Sequence, residues 1–105
     1  MTHSHNFKSW AFEESVDTGT FTTKPVLDGS KPILDVFHGS DGDWQFLCGT
    51  TLNFDDLKLV CLGCMVERDE TLLEVADLPL SWRAFRRSPA EPWTREEYQE
   101  NSDEV

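Results

Sequence analysis

Cations are scarce in this sequence: nine Lys and Arg stand against twenty Asp and Glu in 105 residues, a formal charge of −11. A nucleic-acid partner would be repelled unless the few cations were gathered on one face, so that class is not expected. The same balance disfavours docking on anionic lipid. Long apolar runs are missing too. No stretch approaches the roughly 18 to 20 apolar residues that a membrane helix needs. The opening Met1-Thr2-His3-Ser4-His5-Asn6 has neither the cationic nor the apolar part of a leader, and a cytoplasmic location is expected. Cysteine is limited to three, an odd number and too few for a disulfide scaffold, which fits a reducing compartment. Gly-rich phosphate loops and carboxylate pairs at a defined spacing are absent. The one histidine of the body, His38, has no Ser or Cys nucleophile set in a recognisable motif. Neither an enzyme nor a cofactor is expected.

What remains is still enough to fold. Apolar residues make up 38% and aromatics 11%, more than a disordered chain of this charge would carry, and the length suits one small domain. Residues 1–20 mix polar runs with Phe7, Trp10 and Phe12 in no sustained period, which suggests an N-terminal arm packed on the body or a single helical turn. Pro25-Val26-Leu27 runs into the turn formers Asp28-Gly29-Ser30-Lys31-Pro32. Ile33 to His38 then reads as a strand, Gly39-Ser40-Asp41-Gly42 as a turn, and Asp43 to Cys48 as the returning strand of a β-hairpin. Alternation on that strand turns Trp44, Phe46 and Cys48 to one face, predicted to be the core, and Gln45 and Leu47 to the other.

After the polar linker at 50–56, Leu57 to Leu62 is almost continuously apolar, which predicts a central strand buried on both sides. Between Met65 and Asp77 the spacing becomes helical, with Met65 and Leu72, and Val66 and Leu73, each seven apart. Asp69 is placed to cap a helix whose first turn holds Glu70 and Thr71, and Asp77-Leu78-Pro79 stops it. Ser81 to Arg87 alternates as a final strand. Beyond Ser88, six acidic residues from Glu91 onward face Arg95 alone, which reads as a solvated tail with at most one helical turn at Trp93 to Glu100. The expected fold is α+β: a small antiparallel sheet of three to five strands, one or two short helices and an acidic C-terminal tail. Its boundaries are an arm over 1–20, the domain over 21–88 and the tail over 89–105.

Few residues carry recognisable chemistry. Cys61-Leu62-Gly63-Cys64 follows a strand and precedes a helical segment, the placement of a redox dithiol. The chain lacks the repeated βαβ pattern of the fold in which that motif is usual, and buried cysteine is common as a small hydrophobe. Cys48, Cys61, Cys64 and His38 would make a Cys3His zinc tetrahedron if the third strand lay beside the second. His3 and His5 could take Cu(II) or Ni(II) at the terminus, although a histidine-bearing terminus is the plainer account. Asp41 and Asp43 flank Gly42 like half a calcium loop, but Trp44-Gln45-Phe46-Leu47 follows where more oxygen ligands belong, and turn chemistry explains both aspartates. Arg83, Arg86 and Arg87 form a cationic cluster interleaved with Trp82 and Phe85. It would suit a carboxylate-bearing or aromatic partner, or simply neutralise nearby acids. Trp10, Trp82 and Trp93 are candidate interface anchors or covers for a small core.

The ordered set Lys24-Pro25-Val26-Leu27-Asp28-Gly29, Pro32-Ile33-Leu34, Asp41-Gly42-Asp43-Trp44-Gln45-Phe46-Leu47-Cys48-Gly49, Asp77-Leu78-Pro79 and Trp82-Arg83-Ala84 resembles a family. It is one of small acidic bacterial proteins of unknown function, immunity-protein-like and associated with polymorphic toxin systems. The likeness spans roughly Thr23 to Arg87, and each piece alone is generic. Members carry a glycine after the proline where this chain has Leu80-Ser81, and the Cys61 to Cys64 segment is no family signature. The resemblance implies an α+β domain that acts by binding a protein, with a cationic toxin as partner. An anionic surface would steer that association and then occlude the toxin's active site. The expected contact residues are Asp41, Asp43, Trp44, Trp82 and Arg83; the alternative is a metal or redox protein built on Cys61 and Cys64.

Overall fold

The computed structural model of the chain describes residues 10–48 and 57–98. His3, His5, the linker at 50–56 and the acids beyond Tyr98 lie outside the described residues. Six strands, β1 (Gly19–Thr23), β2 (Asp35–His38), β3 (Trp44–Leu47), β4 (Leu57–Cys61), β5 (Trp82–Phe85) and β6 (Thr94–Glu97), form one sheet. Its order is β4-β1-β3-β2-β5-β6. Helix α1 (Lys24–Leu27) lies between β1 and β2, and α2 (Leu62–Arg68) with a 3₁₀ helix (Glu70–Val75) lies between β4 and β5. The α+β class is as expected, but the sheet has more strands than expected and is mixed. β1 runs parallel to β3 while every other neighbouring pair is antiparallel.

The hairpin is where turn chemistry put it. Gly39 N–H donates to the Asp43 carbonyl and Gly42 N–H to the Gly39 carbonyl. Gly42 takes φ +94°, a conformation that L side chains rarely adopt. β2 and β3 then pair from Asp35 opposite Leu47 to His38 opposite Trp44. Trp44, Phe46 and Cys48 are buried as the alternation required.

β1 was not anticipated, because its inward residues are Thr20 and Thr22, both fully buried. Their hydroxyls donate to carbonyls of the flanking strands, Thr20 to Val60 at 2.8 Å and Thr22 to Phe46 at 2.6 Å. Burial therefore leaves neither hydroxyl without an acceptor.

β4 corrects a second expectation: among the described residues it is an edge strand that pairs with β1 alone, and its Leu59 is 71% exposed. The apolar run reads as a central strand in the sequence, but Leu62 already belongs to α2, and among the described residues no layer covers the outer side chains of β4. The segment read as tail supplies a third correction. β6 pairs with β5 across four residues, and no helical turn occupies Trp93 to Tyr98. Arg95 anchors it to the Asp77 carboxylate and the Glu74 carbonyl, and Trp93 packs against the core.

The helices cover one face of the sheet. Leu62, Met65, Val66, Leu72 and Val75 are fully buried against Val36, Trp44 and Phe46. The helical run is broken at Asp69, whose carboxylate accepts from the Thr71 amide and caps the 3₁₀ helix, as its position foretold. The N-terminal arm closes the same core: Phe12 is buried and meets Trp44 edge-on at 5.1 Å.

Candidate functional site

The other face of the sheet is built by strict alternation. One row crosses all six strands: Leu59, Phe21, Gln45, Phe37, Arg83 and Glu96 are consecutive register partners. Asp35 and Phe85 are partners one step along on β2 and β5 and share this face. Phe21, Phe37 and Phe85 are half-buried and Leu59 is exposed. Strands that are apolar on both sides are ordinarily covered on both sides. Here the helices occupy the opposite face, and among the described residues no helix or strand lies over the aromatic row.

Arg83 organises one end of that row. Its guanidinium donates to Asp35 at 2.9 Å and to Glu96 at 2.8 Å, and it lies 4.4 Å over Phe85 and 5.5 Å over Phe37. Tyr98 meets Phe37 edge-on at 5.2 Å. The cation is thus neutralised by two carboxylates, one from the expected tail, and its flat faces rest on aromatic rings. Arg86 is likewise internal: it binds Asp69 and the Ile33 carbonyl and lies 4.0 Å over Trp93. Only Arg87 of the three is exposed, so the neutralising role describes Arg83 and Arg86.

The remaining expected contact residues separate. Asp41 and Asp43 are exposed at the hairpin turn, where the Asp41 carboxylate accepts from the Asp43 amide at 3.1 Å. Trp44 is 1% exposed and so cannot be an interface edge; the alternation that buries Phe46 buries it too. Trp82 is half-buried and, like Trp10 and Trp93, packs against the core. Leu59, Phe21 and Phe37 escaped notice because they come together only through register between strands distant in sequence. Their signal was the presence of apolar residues on both sides of β2 and β4.

The proposed zinc set is dispersed. β1 stands between β3 and β4, so the strand bearing Cys61 does not adjoin the one that leads to Cys48. His38 sits at the opposite end of the hairpin from Cys48. No group of three His, Cys, Asp or Glu suited to a metal occurs among the described residues. His38 is instead buried. Its ring stacks on Trp44 at 3.9 Å, and Nδ1 lies 2.7 Å from the Leu78 carbonyl. Nε2 stands 3.6 Å from the Glu14 carboxylate, at the wall of a cleft of about 440 Å3 that Glu13, Asp77 and Leu80 also line.

Cys61 and Cys64 do come together, with sulfurs 2.9 Å apart. Burial, and then the hydrogen bond with Cys61, push the Cys64 thiol up to about 11. Two surface carboxylates move the other way. Ser30, through its hydroxyl and then its amide, holds Asp28 below the ordinary value, and the Arg95 hydrogen bond does the same to Asp77.

No family model, curated protein or solved structure matches this chain. No helix among the described residues is long and apolar enough to cross a membrane.

Proposed function

We propose that this chain is a non-catalytic protein-binding domain of the immunity-protein-like kind, and that it neutralises a cationic toxin by occluding the toxin's active site. The observation that carries the reading is the outer face of the sheet, where Leu59 stands beside Phe21, and Phe37 follows beyond Gln45, with Leu59 71% exposed. Apolar side chains left at the surface among polar groups are one mark of a protein interface. The formal charge of −11 favours a cationic partner over a second copy of the chain, because like charge slows self-encounter and opposite charge speeds encounter. Asp35 and Glu96 already hold Arg83 in place, so the face offers aromatic anchors set in a polar rim. Asp41 and Asp43, exposed at the hairpin turn, contribute to steering and not to the anchor.

The test pairs the full chain with the protein that a pull-down from its native host recovers in stoichiometric amount, and recovery of none overturns the reading. It measures residual toxin activity and binding by titration calorimetry at low and high salt. Stoichiometric inhibition that weakens as salt rises is expected, with Leu59→Asp and Phe37→Ala each losing inhibition while circular dichroism stays that of the wild type. A toxin left fully active by a molar excess of the chain overturns the reading, as does inhibition unaffected by both substitutions.

A further inference from the structure

Among the described residues, the Cys61 to Cys64 segment is a chemical motif that protein binding leaves unused. Cys61 ends β4 and caps α2 in an extended conformation, φ −71° and ψ 149°, and Cys64 lies in the first turn of that helix. The Cys64 amide donates to Cys61 Sγ at 3.3 Å, and the two sulfurs are 2.9 Å apart. Neither thiol is sealed in the core: both residues are half-buried, whereas Cys48 is 5% exposed.

The backbone that sets this spacing is held from outside the motif. Leu62 N–H donates to the Thr18 carbonyl at 2.8 Å and Gly63 N–H to the Val16 carbonyl at 2.9 Å. The Leu62 side chain is fully buried. The two residues between the cysteines are therefore tied to the turn that leads into β1. Disulfide geometry is specific, and a frame that already presents both sulfurs to one another favours closing the bond.

From this geometry we propose that Cys61 and Cys64 are a reversible dithiol–disulfide site whose exchange partner is a low-molecular-weight disulfide. Cys61 is assigned the attack because it caps α2 and its sulfur accepts a hydrogen bond from the Cys64 amide, an arrangement that favours a thiolate there, whereas burial raises the Cys64 thiol. In the first step the Cys61 thiolate attacks one sulfur of R–S–S–R. The Cys61–S–S–R bond forms, the R–S–S–R bond breaks, and RS⁻ leaves. In the second step Cys64 gives its proton to that RS⁻ and its sulfur attacks Cys61 Sγ. The Cys61–Cys64 bond forms, the bond to R breaks, and the second RS⁻ takes up the proton that Cys61 first released. The protein dithiol has lost two electrons and two protons, and one disulfide has become two thiols.

The test uses the full chain in buffers of fixed reduced to oxidised glutathione ratio, followed by acid quench, alkylation and tryptic digestion. Cleavage after Lys58 and Arg68 places both cysteines on the peptide Leu59 to Arg68 and leaves Cys48 on another. Under oxidising ratios the peptide is expected to lose the mass of two hydrogen atoms and both alkyl labels, and to regain both labels after dithiothreitol, while Cys48 keeps its label throughout. The variant Cys64→Ser should stop at a single glutathione adduct on Cys61. If that variant does not fold, the wild-type peptide still decides. A wild-type peptide that stays doubly alkylated at every ratio, or that accumulates only a glutathione adduct, overturns the proposal. Toxin neutralisation is not needed for either outcome, so the two readings stand or fall separately.

Discussion

Arg86 lies 4.0 Å over the ring of Trp93, and the same guanidinium binds the Asp69 carboxylate. This one side chain, 1% exposed, therefore ties the end of β5 to the cap of the 3₁₀ helix and to the approach to β6. It also donates twice to the Ile33 carbonyl, at 3.1 and 2.9 Å, and to the Thr71 hydroxyl at 3.0 Å. Replacing Arg86 by alanine removes the donor to Asp69 Oδ2 and both Arg86 donors to the Ile33 carbonyl, a change that costs about 3 to 5 kcal/mol when a buried pair is broken. Urea denaturation should show that loss. The double variant Arg86→Met with Asp69→Ala should recover part of it, since no charge is then stranded.

Two backbone positions call for opposite substitutions. Ser81 holds φ +65°, where a side chain crowds the following carbonyl, and its backbone is fixed by bonds from its amide to His38 and from the Tyr98 amide to its carbonyl. Ser81→Gly should raise stability by about 0.5 to 1 kcal/mol, the relieved strain being partly offset by glycine's greater unfolded-state freedom. Gly42, at φ +94° with open space where a Cβ would stand, should lose about 1 kcal/mol as Gly42→Ala through strain alone. Thermal unfolding of the two variants checks both signs.

The parts of the fold legible in the sequence are those that local rules settle. The turn residues Gly39 to Gly42 and the alternation of Trp44, Phe46 and Cys48 led to the hairpin and its buried face, and Asp69 announced a helix start. Elements escaped where partners distant in sequence reverse the local signal. β1 presents threonines inward, acceptable only because the Val60 and Phe46 carbonyls receive their hydroxyls. β6 is polar throughout because all four residues are exposed, and its pairing with Arg83 and Asp77 is not written near it. The interface expectation failed at Trp44 for a related reason: its neighbours Asp41 and Asp43 are exposed, but the strand's own period had already turned it inward. The outer row could not be read at all without the strand order.

Acid should loosen β6 before the rest of the sheet. The Arg95 hydrogen bond holds the Asp77 carboxyl below its ordinary 3.8. The stabilisation is therefore complete above that ordinary value and is lost as pH falls below 3.8 through the folded-state value. The pair is exposed, so the effect is confined to the local opening of the edge strand. Amide exchange of Arg95 to Glu97, compared with core amides, should quicken below pH 3.8 in the wild type. Arg95→Gln should show the faster exchange already at neutral pH and little further change on acidification.

Alkali acts at the opposite edge. The Cys64 thiol is raised from 9.0 to about 11, first by burial and then by its hydrogen bond with Cys61. A raised value means that the neutral thiol is favoured in the folded chain. Its stabilising contribution is present below pH 9 and is lost as pH climbs from about 9 through 11. Lysines and the tyrosine titrate in the same range, so the wild-type decline alone is not diagnostic. The difference between wild type and Cys64→Ala isolates it. Under reducing conditions the melting temperature of the wild type should fall more steeply between pH 9 and 11 than that of the variant, and the gap should close in the disulfide form, which has no thiol left to ionise. Parallel pH profiles for the reduced wild type and Cys64→Ala would show that the Cys64 thiol is not held neutral by the fold, and would remove the reason for assigning the attacking role to Cys61.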